Sequence, residues 1–264
     1  MTQHRSKILH RYPVNRLGRT FVVGDLHGCL YQLLWLWELV NFDEEVDILY
    51  ITGDLSDRGE DSEGCIELLK KKCVRSTAGN HERLLMQAAG LIQNKYFNWR
   101  DYERSGGLWA IRMSAQRRLE YAKMVAELPV VIVVGEGKER FNILHAEFYG
   151  SDKDLDALEE VDELTDEQED MLMWSRDMMV KGIVKPSVQK GLSRTFSGHN
   201  REPHVYQVGS QIMIDTGAYM TKFRPGTAFG LTMIEPATMQ MWKYHDDGKP
   251  RQSGNAGNLV QRDI

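Results

Sequence analysis

Short apolar runs and amphipathic stretches alternate through the first half of the chain. Residues 21–23 and 48–51 are apolar, too brief for helices, and followed within two positions by glycine, so both are predicted strands. Between them Leu30, Leu33, Leu34, Trp37 and Val40 recur at helical spacing. The alternation then repeats: Ile66, Leu68 and Leu69 predict a second helix, residues 74–77 a third strand, and Leu84, Leu85, Ala88 and Leu91 another helical face. This order is the pattern of a layered α/β domain with parallel pairing. Farther on, a helix is predicted from Leu108 to Ala126, ended by Leu128-Pro129, and residues 130–134 and 141–144 flank a Gly-Glu-Gly turn as a hairpin. Short strands are predicted at 195–197, 205–208, 212–214, 229–234 and 239–242. The expected fold class is α/β, with two mixed β-sheets packed as a sandwich flanked by helices.

Composition narrows this picture. A length of 264 residues, with 42% hydrophobic side chains and neither a linker-like stretch nor an internal repeat, predicts one domain. The expected division is a leader at 1–18, a catalytic domain at 19–246 and a polar tail at 247–264. The net charge of −5 argues against nucleic acid as the main partner. Arg5, Lys7, Arg11, Arg16 and Arg19 make the leader basic, a feature read as a solvated segment in preference to a phosphate-seeking arm. Cys29, Cys65 and Cys73 offer neither a disulfide framework nor a thiolate metal site. Without a signal-like or membrane-length apolar run, the expectation is a soluble, cytoplasmic monomer with no membrane partner. The acidic stretch 152–170, with Leu155, Leu158, Val161 and Leu164 at threes, reads as a solvated helix in preference to an overhang at a site. The aromatic-rich residues 96–102 read as core in preference to a substrate-side wall.

Three loops carry the candidate chemistry: Gly24-Asp25-Leu26-His27-Gly28, Gly53-Asp54-Leu55-Ser56-Asp57-Arg58-Gly59 and Gly79-Asn80-His81-Glu82. Each follows a predicted strand and precedes a predicted helix, at intervals suited to βαβ units of ~30 residues. Singly, such residues are ordinary helix caps and turns; three together exceed coincidence. Parallel strands present their carboxyl ends on one rim, so Asp25, His27, Asp54 and Asn80 should converge there, with Asp54 as the natural bridge. His145 and His199, each at the end of a later strand, can reach the same rim.

Oxygen and imidazole donors without thiolate suit Mn, Fe, Zn or Mg. Two divalent ions held by this set leave a net positive site that attracts phosphate, and a water shared between them becomes acidic enough to supply hydroxide for in-line attack. Arg58 has the planar fork to clamp phosphoryl oxygens. His81 is placed to donate a proton to the departing oxygen, with Asp57 orienting it. Glu82 reads as a first-turn helix acid.

At these residues the chain resembles the phosphoprotein phosphatase family of metallophosphoesterases, most closely its phage-type members, from about Phe21 to Tyr244. Leu144-His145-Ala146, Ser197-Gly198-His199 and Ile214-Asp215-Thr216-Gly217-Ala218 extend the likeness. It implies a dinuclear site, with manganese the expected metal, in which Asp25, His27 and Asp54 hold one ion and Asp54, Asn80, His145 and His199 the other. It further implies that His81 and Asp57 are catalytic and that Arg58, Arg176 and Asn80 bind the substrate phosphate. The implied activity is hydrolysis of phosphoserine and phosphothreonine, with phosphotyrosine as a further substrate, in phosphoproteins or small phosphomonoesters and without a covalent intermediate. Ser56, Glu147 and Asn200 depart from the family pattern, which has an apolar residue, Asp and Thr there.

The same centre would also serve a dinucleoside polyphosphate hydrolase, acting for example on diadenosine tetraphosphate. A nuclease or phosphodiesterase reading requires Gly-His-x-His, where this chain has Arg201. A binding module without activity would not be expected to keep all six donors and His81.

Overall fold

A computed structural model describes residues 8–180 and 189–246, together with the backbone of 251–255 and 260–261. Residues 1–7 of the expected leader, and 247–250, 256–259 and 262–264 of the expected tail, lie outside the described residues. Strands β1 (Leu9–Tyr12), β5 (Val131–Val134), β6 (Phe141–Leu144), β7 (Arg194–Ser197), β9 (Gln211–Met213), β8 (Tyr206–Val208) and β13 (Val260–Gln261) form one sheet in that order. The second sheet runs β12 (Arg251–Asn255), β11 (Gln240–Lys243), β10 (Thr232–Glu235), β2 (Thr20–Val23), β3 (Ile48–Ile51) and β4 (Val74–Ser76). Strands β2, β3 and β4 are parallel, with Val23 opposite Ile51 and Ile51 opposite Ser76. Strands β6 and β7 are also parallel, while β5 and β6 make the expected antiparallel hairpin.

The alternation of side chains along each strand builds the layers. Val22, Tyr50, Ile132, Phe141, Ile143, Phe196, Ile212 and Ile234 point between the sheets and form one buried cluster. Phe21, Val23, Leu49 and Ile51 point the other way, onto helices α1 (Leu30–Val40), α2 (Ser62–Glu67), α3 (Asn80–Ala88) and α6 (Ala115–Val125). The opposite outer face of the sandwich carries Leu9, Val131, Val133 and Leu144 against Leu155 and Leu158 and the helix α8 (Asp166–Met173). Both faces of the central strands are therefore covered, which is why they read as continuous apolar runs. The expected two-sheet sandwich is the fold observed.

Four local expectations change. Ile8 and Leu9 of the basic segment are buried, and Leu9–Tyr12 pairs in parallel with Val131–Val134; the charges hid a short apolar edge strand. The charges among the described residues are matched at home: Arg11 lies 2.7 Å from Glu159 and 2.9 Å from Asp156, Arg16 reaches Glu139 at 2.7 Å, and Arg19 reaches Asp47 at 2.6 Å. The helix expected at 108–126 is two, α5 (Leu108–Arg112) and α6, because Ser114 is extended and caps α6 through its hydroxyl, which accepts from Arg117 N. The acidic stretch likewise splits into α7 (Asp152–Asp156), a 3-10 turn to Glu160, and α8 capped by Thr165; its leucines pack on the sheet. In the expected polar tail, Arg251–Asn255 pairs with β11 and Val260–Gln261 with β8. All three cysteines are free and buried, and among the described residues no helix is long and apolar enough to cross a membrane.

Candidate metal centre

Five loops, each leaving the carboxyl end of a strand, meet at one rim: those after β2, β3 and β4 from one sheet, and those after β6 and β7 from the other. The backbone bends sharply to bring them in. Seven described non-glycine residues have positive φ, and five of these are His27, Asp54, Asp57, Arg58 and His199. Conformations that cost free energy are thus concentrated where the candidate chemistry lies. Gly198 permits the closest approach, since a Cβ there would stand 1.8 Å from Asp25 Oδ1.

The tautomers of three histidines are fixed by backbone carbonyls. His27 Nδ1 donates to Ser56 O at 3.0 Å, His145 Nδ1 to Thr52 O at 2.9 Å, and His199 Nε2 to Trp174 O at 3.0 Å. The other nitrogen of each then carries a lone pair, as in imidazoles that ligate metals. Those lone pairs converge. His145 Nε2 lies 2.9 Å and His199 Nδ1 3.1 Å from Asn80 Oδ1, and His145 Nε2 lies 3.3 Å from Asp54 Oδ1. On the other side of Asp54, His27 Nε2 stands 3.4 Å from Oδ2. Around His145, His199 and Asn80, acceptors face acceptors with no proton between them, an arrangement that a cation satisfies. Ligand atoms of His27, Asp54 and His81, and of Asp54, His145 and His199, fall within 4.8 Å of one another, so Asp54 belongs to both groups.

Electrostatics sort the titratable groups. Burial, with Arg58, holds His27 well below the usual imidazole range; burial lowers His145; and burial, His145 and Arg176 bring His199 down to about 2. In each, the neutral form with a free lone pair is favoured. Burial also lowers His81, but Asp54 and Asp57 outweigh it and raise the ring above its ordinary value. Burial opposes ionisation of Asp54, yet His145, His81, His27 and Arg58 keep it well below the usual carboxylate range. Asp25 is pushed well up by burial and by the neighbouring carboxylates Asp215 and Asp54. Such crowding of buried carboxylates calls for positive charge. Asp25 is held in place by the Thr52 hydroxyl and by His199 N, each donating at 2.9 Å.

All the expected site residues therefore gather at this rim. His81 Nδ1 bonds Asp57 Oδ2 at 2.6 Å, and its Nε2 faces Arg58 Nη2 at 2.9 Å. Arg58 also touches His27 Nε2 and lies over the Tyr219 ring, 4.8 Å from its centre. Arg176 donates to His199 O at 3.1 Å. A cleft of about 450 Å³ opens from this point; Arg58, His81 and Arg176 line it together with Tyr96, Phe97 and Trp174. The aromatic segment thus serves both ends: Tyr102, at 1% exposure, packs into the core at the floor of the cleft, whereas Tyr96, at 79%, is an exposed part of its wall.

Several supporting residues escaped the sequence reading. Glu82 is fully buried and accepts from Asp54 N, Leu55 N and Gly79 N at 2.8–2.9 Å, stapling the second loop to the third; it is more than a first-turn acid. Glu147, also buried, accepts from Ser175 Oγ at 2.6 Å, Met178 N at 3.0 Å and Asn200 Nδ2 at 3.0 Å, and so fixes the turn that carries Arg176. Two departures from the family pattern, Glu147 and Asn200, are thereby partners of one another. The third, Ser56, buries a hydroxyl that has no hydrogen-bond partner.

Comparison with known proteins agrees with this geometry. The calcineurin-like phosphoesterase model matches residues 18–212. Serine/threonine-protein phosphatase 2 of Salmonella typhimurium is 28% identical over 211 residues, 75% of this chain and 87% of that protein. The symmetrical bis(5'-nucleosyl)-tetraphosphatase of Erwinia tasmaniensis is 42% identical, over 79 residues and 29% of each chain. A solved structure assigned provisionally as a diadenosine tetraphosphatase shares the fold, with a TM-score of 0.62 and 20% identity, covering 94% of this chain and all of that one. On the strength of the family match across most of its length, the chain belongs to the calcineurin-like metallophosphoesterases, a family that uses a dinuclear metal site.

Proposed function

We propose that the protein is a protein phosphatase that hydrolyses phosphoserine and phosphothreonine monoesters, and phosphotyrosine as well, by direct attack of water at phosphorus. The observation that carries this reading is the pairing, at one rim, of a lone-pair cluster around Asp54 with a histidine whose Nδ1–H is directed by Asp57. Asp25, His27 and Asp54 would hold one divalent ion, and Asp54, Asn80, His145 and His199 the other, with manganese the expected metal. Bound there, the ions would supply positive charge and an acidified water.

The remaining work falls to side chains of this chain. Arg58 and Arg176, from different loops, face the same cleft and would bind the phosphoryl oxygens, with Asn80 between them. In doing so Arg58 would leave His81 Nε2, freeing that nitrogen to carry the proton passed to the departing oxygen. Asp57 keeps Nδ1–H directed and favours the charged ring once Nε2 takes up a proton.

The choice of a phosphomonoester over a tetraphosphate rests on the cleft. Among the described residues, Arg58 and Arg176 are the only Lys or Arg side chains that line it, whereas Asn94, Asn98, Asp101 and Ser105 follow along the wall. Along that described wall a four-phosphate chain would meet amides, a hydroxyl and a carboxylate in place of further cations. The longer alignment with the serine/threonine phosphatase supports the same choice. The test is turnover of a phosphoserine peptide and of diadenosine tetraphosphate by the Mn²⁺-supplemented protein. The peptide is expected to turn over faster, a chelator is expected to abolish turnover, and the opposite preference would assign the protein to dinucleoside polyphosphates.

A further inference from the structure

The hold on His81 reaches beyond the three loops. Asp57 is fully buried, and only one of its carboxylate oxygens serves the histidine. The other, Oδ1, accepts from the Trp109 indole N–H at 2.5 Å and from the Tyr102 hydroxyl at 3.4 Å. Both donors belong to one stretch, from the end of α4 (Trp99–Tyr102) to the start of α5, joined by a wide turn through Gly106 and Gly107. That turn also touches the catalytic loop: Gly106, at φ 102°, accepts from Arg58 N at 3.3 Å, and a Cβ on Gly106 would lie 2.4 Å from that nitrogen. The indole is itself anchored, its ring 6.2 Å from the buried Tyr121.

We propose that Trp109, assisted by Tyr102, is a positioning residue for the Asp57–His81 pair and aims the proton of His81 at the leaving-group oxygen. The proposal rests on the acid role assigned to His81 above. Indole suits the task because its N–H only donates and carries no charge. It fixes the Asp57 carboxylate without neutralising it, whereas Arg or Lys in its place would weaken the hold of Asp57 on a charged imidazole. No proton passes through Trp109. As the P–O bond breaks, the proton leaves His81 Nε2 for the departing oxygen.

A positioning role predicts dependence on the leaving group. Dinitrophenolate departs without an acid, while the alkoxide of serine needs one. His81→Ala should therefore lower kcat about 100-fold or more on a phosphoserine peptide and far less on 2,4-dinitrophenyl phosphate. Trp109→Phe, which keeps the ring and deletes the N–H, should lower kcat on the peptide about ten-fold, leave KM within about two-fold, and leave dinitrophenyl phosphate turnover near wild type. Trp109→His, which restores a ring N–H, should recover part of the loss. Should Trp109→Phe fail to fold, Tyr102→Phe must show the same selectivity at about two- to three-fold. Equal losses on both substrates, or none, would overturn the positioning role. If His81→Ala itself shows no dependence on the leaving group, the acid assignment falls first and this proposal falls with it.

Discussion

Ser56 and His199 show how single residues trade stability for the site. The Ser56 carbonyl accepts from His27, but its hydroxyl is buried without a partner, and an unmade hydrogen bond costs about 1–3 kcal/mol. Ser56→Ala keeps the carbonyl and removes the orphan. The melting temperature should stay level or rise, by about 2–4 °C per kcal/mol gained in a domain of this size; a fall would mean that the hydroxyl has an acceptor. For His199 the sign follows from its folded value of about 2 against an ordinary 6.5. Between those limits the unfolded chain binds the proton and the native chain does not, so stability is lost as pH falls below about 6.5. In chelated protein, urea melts should weaken toward acid by up to about 1.4 kcal/mol per pH unit from this group, and His199→Gln should flatten the slope.

Among the elements, the turn after α8 shows how the proposed phosphate arginine, Arg176, is placed by a residue far away in sequence. Glu147 accepts from both sides of Ser175-Arg176 and from Asn200, and every one of those groups is a donor. Glu147→Gln would turn an amide toward donors. kcat/KM for a phosphopeptide is expected to fall about ten-fold with metal content unchanged, and unaltered kinetics would detach Arg176 from substrate binding. The same contact marks the limit of what the chain reveals when read linearly. Asp25, His27, Asp54, Asn80 and His81 could be found because each lies at a strand end next to glycine, where local spacing predicts convergence. The supports from Glu147, Glu82 and Trp109 are made by side chains of ordinary type across 27 to 53 positions, and no periodicity reports them. Strand β1 was missed for a different reason: four residues at a sheet edge carry too little apolar signal to stand out among five basic charges.

At the scale of the whole molecule, the sandwich was legible because strands covered on both faces announce themselves as apolar runs, and parallel order put the three loops on one rim. The pairing of the sheets was not, since β1 with β5 and β7 with β9 join distant segments. Directionality along β6 has a practical corollary. His145 follows its carboxyl end, so the hairpin at Gly135 and Gly137 must emerge from the far side, and a Cβ on Gly137 would meet nothing within 4 Å. A reporter domain grafted between Gly137 and Lys138 should leave turnover and metal content intact. That would give the protein a handle for imaging or capture on the side opposite the rim where the five loops meet.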